Sequence, residues 1–437
     1  MGSSVDSRHV ARVMLSWLDL DLVSLTELQS LWAGYGHICA IKARPRSAGD
    51  DPSPSQSRQA HRQLPKPATD GTLHLILKLV SPPAMDGDEG HLRKMLSYEV
   101  EQSFYDQVAP RLLDEDGVAV ARCLASTRRT RSRAVADGLQ DLMATILTDL
   151  RDEFPVAGEK RALLSPRQVR AAVEWLAMFH ASSWKRPLAD MADLVLPPLE
   201  EAERRARLAD DFADGKFLWL NGGYTYLATR RSEYDKLARD RNSEWSSAFC
   251  AAPPGVGSGS SIADQVAAVL TPCGRAFETY IHGDVKSENL FSTDSGDRVA
   301  FFDFQYAGLG LGVCDLAKLF TCSVPLDMLV GSRALQHAVP MDDGERGLLE
   351  EYRHLLLRDS PEGPGRSPLD YGWDTFRRHW ETALVDWCRF QASWGFWGNT
   401  TWLQARVRWI LKDESWMGWL QQEARSRTAG CTESRAA

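Results

Sequence analysis

The sequence has no Cys-x-x-Cys pair, no apolar run long enough to cross a membrane, and no excess of positive charge. Its eight cysteines are scattered along the chain, a pattern that argues against a zinc site or a disulfide framework and fits reduced thiols. The opening residues lack the hydrophobic segment of a secretory signal. We therefore expect a cytoplasmic protein without a membrane span.

Positive charge is too scarce for a nucleic-acid partner, because the net charge is −8 and the pI is about 5.8. A hydrophobic content of 43% and a charged content of 25% are typical of a globular protein. At 437 residues the chain exceeds one ordinary domain. We expect two lobes of unequal size, and nothing in the sequence indicates an oligomeric state.

The stretch from residue 280 to 320 has the pattern of short apolar strands joined by polar loops. The sequence HGDVKSEN, residues 282–289, is polar and is predicted to be a loop. A second polar turn, DSGD, precedes the last apolar run. The predicted strands are residues 277–281, 290–292 and 299–302.

Three oxygen-bearing side chains lie next to these strands: Asp284 and Asn289 in the loop, and Asp303 directly after the last strand. Two acids and an amide between apolar strands are costly to bury unless they have partners. Mg²⁺ prefers oxygen ligands of this kind. Phosphoryl transfer needs metal ligands and one further acid that orients the attacking hydroxyl. The set therefore predicts that chemistry.

The same stretch resembles the aminoglycoside phosphotransferase and choline kinase superfamily, especially its choline-kinase-like (CHK, ecdysteroid-kinase-like) branch. The resemblance depends on Asp284, on Asn289 five residues later, and on Asp303 after an apolar strand. Protein kinases have Arg after the catalytic-loop His and Gly after the metal-binding Asp-Phe. Here Gly283 and Gln305 stand at those places, which favours a small-molecule kinase.

The resemblance implies an α+β, bilobal, protein-kinase-like fold. Its small nucleotide-binding lobe, expected over residues 1–150, would have a five-stranded antiparallel sheet and one key helix. Its large, mainly helical catalytic and substrate lobe is expected over residues 151–424. Residues 44–72 are rich in Pro, Ser and charge and are predicted to be a flexible insertion. Residues 425–437 are predicted to be a disordered tail.

The resemblance also assigns roles in the large lobe, with ATP as phosphate donor and Mg²⁺ as metal. Asp284 would orient the acceptor hydroxyl and take its proton, while Asn289 and Asp303 would bind the metal. Lys286 is either a contact to the transferred phosphate or a solvated loop lysine. His282 and Asp315 would support the catalytic loop.

In the small lobe, Lys78 interrupts the apolar strand predicted over residues 73–80. By the resemblance it holds the nucleotide phosphates and pairs with a glutamate of the helix predicted over 91–108. Both Glu99 and Glu101 are candidates, and the Glu-x-x-x-Tyr pattern favours Glu101. The alternative for Lys78 is a lysine with its stem on a half-exposed strand.

Two further backbone sites are expected for ATP. Gly34 and Gly36 form either a turn whose N–H groups approach phosphates or an ordinary hairpin. A strand predicted over 142–150 ends in Asp149 and Leu150, where the resemblance places main-chain contacts to adenine.

Elsewhere the pattern predicts a helix within residues 6–31, a strand over 118–126 and a helix over 165–184 that begins at Ser165.

The C-terminal tryptophans recur every seven residues, which indicates a packed helix seam. Alternatively, one or two of them, with Asp386 or Glu381, hold an amine through cation–π contact.

The acceptor stays open among choline or another amino alcohol, an aminoglycoside, a sugar and a steroid-like compound. A nucleotide-binding pseudokinase or scaffold without turnover is the alternative function. A protein kinase is disfavoured, because Asp315-Leu316-Ala317 follows Asp303 too closely to leave room for a peptide-binding segment.

Overall fold

The structure, a computed structural model, describes residues 5–31, 34–46, 64–82, 88–185, 190–207, 218–251, 260–331, 334–358 and 371–434. The chain divides into two compact units, Met1–Pro155 and Val156–Ala437. The sequence placed this division five residues earlier. The fold class expected from the sequence, α+β with a small antiparallel sheet and a larger helical part, is confirmed.

A five-stranded antiparallel sheet organises the first unit, with strand order β1-β2-β3-β5-β4. The leucines of β3 point into the buried core, and the residues between them lie on a half-buried face, as the two-residue period of a strand requires. The sheet confirms the five strands expected for this unit. Its strands are β1 (Leu20–Ser30), β2 (Gly36–Pro45), β3 (Leu73–Val80), β4 (Cys123–Ser126) and β5 (Met143–Thr148).

The helices described beside the sheet are α1 (Ser7–Ser16), α2 (Glu89–Ser103) and α3 (Arg131–Ala136). The side chain of Asp6 caps α1 and that of Asp88 caps α2. After α2 the chain stays helical through Asp116, with π-helical turns at Phe104–Val108 and Leu112–Asp116.

The helix predicted within residues 6–31 is wrong beyond Ser16, because Leu20–Ser30 form strand β1. Two register shifts interrupt the pairing of β1 with β2, one between Leu22 and Ser24 and one between Glu27 and Gln29. Each shift breaks the alternation of apolar and polar residues. The sequence therefore hides the two-residue period, and pairing with β2 decides the structure.

The second unit is mainly helical, with two small antiparallel sheets of strand orders β6-β8-β9 and β10-β7. Its strands are β6 (Val156–Ala157), β7 (Glu278–Ile281), β8 (Leu290–Ser292), β9 (Val299–Phe301) and β10 (Gly308–Leu311). Its helices are α4 (Pro166–Ser182), α5 (Pro198–Arg207), α6 (Arg231–Arg239), α7 (Glu244–Cys250), α8 (Ile262–Leu270), α9 (Val313–Cys322), α10 (Leu326–Leu329), α11 (Asp343–Arg358), α12 (Trp373–Trp394), α13 (Thr400–Ile410) and α14 (Glu414–Ser434).

Helix α4 begins where the sequence predicted. Ser165 accepts a hydrogen bond from the backbone of Gln168, and the Gln168 side chain accepts one from the backbone of Ser165. This reciprocal capping satisfies two N–H groups that the first turn would otherwise leave without partners. Helix α4 is therefore fixed at its first turn, and its buried face ends near His180.

Two segments predicted to lack structure differ from that prediction. Strand β2 includes residues 44 and 45 of the expected 44–72 insertion, while residues 47–63 lie outside the described part of the chain. Helix α14 continues to Ser434, so most of the tail predicted to be disordered is helical. An ion pair between Glu423 and Arg427, one turn apart, lies at the start of this extension.

Four of the C-terminal tryptophans are buried, as the seven-residue spacing predicted. These are Trp380, Trp387, Trp402 and Trp416, whereas Trp394 is exposed.

Among the described residues, no helix is both long and apolar enough to span a membrane. Seven of the eight cysteines are free thiols in the structure.

A buried ion pair joins α11 to α13. Arg406 Nε lies 2.8 Å from Glu345 Oε2, and neither side chain is more than 1% exposed. The indole Nε1 of Trp380 donates to Glu345 Oε1 at 2.8 Å. Loss of one partner would therefore leave an unpaired charge inside the helical core.

Replacing Arg406 by Met should lower the free energy of unfolding by about 3–5 kcal/mol, because Glu345 would stay buried without its counter-charge. The double variant Glu345→Gln/Arg406→Met should recover at least half of that loss, since glutamine still accepts from Trp380. Urea unfolding followed by tryptophan fluorescence measures both. A double variant no more stable than the single one would contradict this account.

Candidate active site

Asp284 lies in the polar loop between β7 and β8 and is buried. The amide Nδ2 of Asn289 donates to the Asp284 carbonyl oxygen at 2.8 Å and to its Oδ2 at 3.1 Å. These two bonds close the loop and fix the carboxylate orientation. Both use Nδ2, so among the described residues the Asn289 side-chain oxygen is left for another ligand.

Asp303 and Asn289 lie at the same end of the β8–β9 hairpin. Leu290 pairs with Phe301, and the backbone N–H of Phe302 donates to the Asn289 carbonyl at 3.0 Å. Asp303 follows directly with φ +65° and ψ +58°. This left-handed conformation is uncommon for residues other than glycine and often marks a functional site.

The chemistry of this donor set fits a hard divalent cation. The side-chain oxygen of Asn289 and the carboxylate of Asp303 are ligand types that Mg²⁺ accepts. Over the described part of the chain, no group of three or more His, Cys, Asp or Glu residues could hold a metal. A metal here would therefore need further oxygen ligands, such as water or phosphate.

Lys286 lies between two carboxylates of the loop. Its Nζ is 3.0 Å from Asp284 Oδ2 and 3.5 Å from Glu288 Oε1. Burial alone would lower the pKa of Lys286, but attraction to the carboxylates of Asp284 and Glu288 outweighs it and raises that pKa. The lysine is therefore a firmly charged cation beside the Asp284 carboxylate. The sequence reasoning missed Glu288, although an acid two residues after Lys286 was visible.

Asp315, in the first turn of α9, holds the backbone of the loop. Its Oδ2 accepts from the N–H of His282 at 2.6 Å, and its Oδ1 accepts from the N–H of Gly283 at 2.9 Å. His180 Nε2 lies 3.2 Å from the same Oδ2, and Tyr352 donates to His180 Nδ1 at 2.7 Å. Burial favours a raised pKa for Asp315, but the bond from His180 and the charge of Lys318 hold the pKa below its usual value.

His282 links the loop to the end of β9. Its Nε2 donates to the Phe302 carbonyl at 2.9 Å, while Nδ1 accepts from the N–H of Asp284 at 3.3 Å. Burial lowers the pKa of His282, so the ring is neutral. Gly283 has φ +83°, and a Cβ there would lie 2.2 Å from the Tyr306 carbonyl oxygen. Glycine is therefore required at this position.

In the first unit, Lys78 forms an ion pair with a glutamate of α2. Its Nζ lies 2.5 Å from Glu101 Oε2, and the two side chains are 11% and 7% exposed. Of the two candidate glutamates, Glu101 is the one in this pair. Lys78 also lies 5.8 Å from the centre of the Tyr98 ring. The pair thus sits in a nearly dry environment, where charge attraction is strong.

The other residues predicted to bind ATP have structural roles in the first unit. Gly34 has φ +74° in the turn before β2, and a Cβ on Gly36 would lie 2.0 Å from the Leu79 carbonyl oxygen. Asp149 caps the short turn Leu150–Asp152, and its carboxylate lies 2.6 Å from Arg151. The Asp149 side chain is therefore engaged locally.

The acids considered for an amine ligand are paired with arginines of the chain. Glu381 bonds to Arg377 at 3.0 Å, and Asp386 lies 2.6 Å from Arg389. An amine at either carboxylate would have to displace or share an existing partner. The alternative of an amine pocket built on these acids is therefore not supported by their contacts.

A sequence model of the ecdysteroid kinase-like family matches residues 59–334. No curated protein sequence matches the chain. Among solved structures, the macrolide 2'-phosphotransferase from Brachybacterium faecium is 14% identical, with 91% of this chain and 96% of that chain covered and a TM-score of 0.35. The ethanolamine kinase from Plasmodium vivax is 11% identical, with 93% and 82% covered and a TM-score of 0.38. The choline kinase from Streptococcus pneumoniae is 11% identical, with 95% and 98% covered and a TM-score of 0.35.

Replacing Asp315 by Asn should loosen the loop, because the amide presents at most one oxygen to the two N–H groups of His282 and Gly283. We expect a loss of about 2–4 kcal/mol in the free energy of unfolding. Hydrogen exchange of the His282 and Gly283 amides should accelerate. The exposed Asp327, changed to Asn in the same way, is the control and should leave both quantities unchanged. Unaltered exchange in Asp315→Asn would show that another contact holds the loop.

Proposed function

Since this chain belongs to the ecdysteroid kinase-like family, we propose that it is an ATP-dependent kinase that transfers the γ-phosphate to a hydroxyl of a small molecule. The arrangement of Asp284 carries the proposal. This buried carboxylate is oriented by Asn289 and lies 3.0 Å from the cation of Lys286. Such an arrangement suits a group that positions a hydroxyl for attack on phosphorus.

In the proposed reaction, Asp284 acts on the acceptor. Asn289 and Lys286 both contact its Oδ2, so we assign Oδ1 to the acceptor hydroxyl. The hydroxyl oxygen forms a bond to the γ-phosphorus, the bond to the β,γ-bridging oxygen breaks, and ADP leaves. The hydroxyl proton passes to Asp284. The neutral His282 ring takes no part in proton transfer and keeps the loop in place.

The phosphates are assigned to cations and to the metal ligands. Asn289 and Asp303 would hold Mg²⁺, which supplies positive charge to the phosphate oxygens during transfer. Lys286 is proposed to contact the transferred phosphate, since two carboxylates share its ammonium and either can release it. Lys78, fixed by Glu101, would hold the α- and β-phosphates.

Backbone groups complete the proposed ATP contacts. The turn with Gly34 and Gly36 is proposed to approach the phosphates, and the main chain at Asp149 and Leu150 is proposed to bind adenine. Because the Asp149 side chain is occupied by Arg151, its backbone is the part assigned to the nucleotide. The acceptor is proposed from the classes named above, and the protein is proposed to act in the cytoplasm.

Wild-type protein incubated with γ-labelled ATP, Mg²⁺ and a fractionated metabolite extract should transfer label to a small molecule. Asp284→Asn should lower that transfer by about 100-fold or more, the usual contribution of a general base, with Mg·ATP affinity within about twofold of wild type. A chelator should abolish transfer. Bound ATP without transfer in any fraction would instead favour a nucleotide-binding pseudokinase.

Lys78→Met should weaken Mg·ATP binding by about ten- to hundredfold, because one charge-assisted contact to phosphate is lost. Glu101→Gln should weaken it by roughly three- to tenfold through a misplaced Lys78. Glu99→Gln is the matched control on the same helix and should stay near the wild-type value. Calorimetric titration with Mg·ATP measures all three. Equal effects of the two glutamate variants would refute the assignment of Glu101.

A further inference from the structure

The segment that contains Tyr224 is anchored to the residues directly after Asp303. The backbone N–H of Trp219 donates to the Ala307 carbonyl at 3.0 Å, and the N–H of Leu309 donates to the Trp219 carbonyl at 2.9 Å. The indole Nε1 of Trp219 donates to the Gln305 carbonyl at 2.9 Å. The segment is thus held in place by the same stretch of chain that follows the metal-ligand candidate.

Two glycines then let the segment pass close to the catalytic loop. A Cβ on Gly222 would lie 2.6 Å from the Ile281 side chain, and one on Gly223 would lie 2.5 Å from the Trp219 ring. Any larger residue would push the chain outward. This close approach places the next residue, Tyr224, beside the loop.

The Tyr224 ring borders the Asp284–Lys286 pair. Its centre lies 5.8 Å from Lys286 Nζ, which is itself 3.0 Å from the Asp284 carboxylate. The Tyr306 ring packs beside it with a centre-to-centre distance of 4.8 Å. Tyr224 therefore forms a wall next to the group assigned to the acceptor hydroxyl.

A buried arginine fixes this wall from another side. Arg230 Nε donates to the Tyr224 carbonyl at 2.6 Å, and its guanidinium carbon lies 4.8 Å from the centre of the Tyr224 ring. Glu233 Oε1 accepts from Arg230 Nη1 at 3.2 Å. Both the backbone and the ring of Tyr224 are held, so the hydroxyl position is well defined.

The Tyr224 hydroxyl has no hydrogen-bond partner among the described residues. Partly buried tyrosine hydroxyls usually find one, as Tyr226 does two residues later, where its hydroxyl lies 2.6 Å from Thr271 Oγ1. Burial and the nearby Asp284 carboxylate raise the pKa of Tyr224. The hydroxyl is therefore protonated and can donate a hydrogen bond to a bound molecule.

We propose that Tyr224 is an acceptor-binding residue, whose hydroxyl hydrogen-bonds to a polar atom of the small molecule while the target hydroxyl of that molecule lies on Asp284. The inference rests on the proposed kinase function. It also explains the Gly-Gly-Tyr sequence, since the two glycines permit the chain to approach the catalytic loop and the tyrosine contacts the acceptor.

The test compares Tyr224→Phe with the matched control Tyr226→Phe, which removes a hydroxyl already bonded within the protein. Label transfer from γ-labelled ATP is titrated against the active fraction of the metabolite extract. Tyr224→Phe should need about three- to tenfold more of the fraction for half-maximal transfer, the effect of one lost hydrogen bond. Its maximal rate, Mg·ATP affinity and melting temperature should match wild type, and Tyr226→Phe should titrate like wild type.

Four other outcomes would overturn the inference. An unchanged titration for Tyr224→Phe would show that the hydroxyl does not contact the acceptor. A joint fall in melting temperature and maximal rate would assign Tyr224 a structural role, and a weaker Mg·ATP affinity would place it on the nucleotide. If wild-type protein itself transfers no label to any fraction, the proposed function fails, and this inference fails with it.

Discussion

The buried carboxylate of Asp315 is the contact on which the candidate site depends. It accepts the two successive backbone N–H groups of His282 and Gly283, so it sets the path of the chain immediately before Asp284. Its own position is fixed from α4 through His180 and from α11 through Tyr352. A charged acceptor bonded by several donors is the least costly way to keep a carboxylate in a dry interior. The loop that contains Asp284 is thus held in place by three helices.

From that contact the site extends as one connected set of hydrogen bonds. His282 links the loop to the end of β9, Phe302 links β9 back to Asn289, and Asn289 closes on Asp284. Each residue therefore restrains the next, and side-chain freedom is lost when the chain folds rather than when a substrate binds. The left-handed backbone of Asp303 fits within this set, because surrounding bonds hold a conformation that an isolated residue would seldom adopt.

Much of this arrangement could be predicted from the sequence because its signals are local. The short apolar strands around HGDVKSEN lie where the pattern predicted them. Ser165 marks the start of α4 because it is a typical helix cap. Strand β1 could not be predicted, since register shifts disguise its period and its partner lies further along the chain. Tyr224 follows two glycines in the sequence, yet nothing local shows that these glycines and Trp219 bring it beside Lys286. Contacts between residues far apart in the chain leave no periodic pattern in the sequence, so they could not be predicted from it.

The ion pairs of the second unit differ in how fully they are enclosed. Arg406 with Glu345, and Arg389 with Asp386, are arginine pairs in which the guanidinium is at most 1% exposed. The first pair joins α11 to α13 and the second lies within α12, and loss of either partner would leave an unpaired charge in the core. Lys286 is 21% exposed and lies near both Asp284 and Glu288. A flexible ammonium between two carboxylates can leave one and keep the other. Asp284 thus has a partner that can move away when the proposed acceptor binds, which the arginine-bound acids of the core lack.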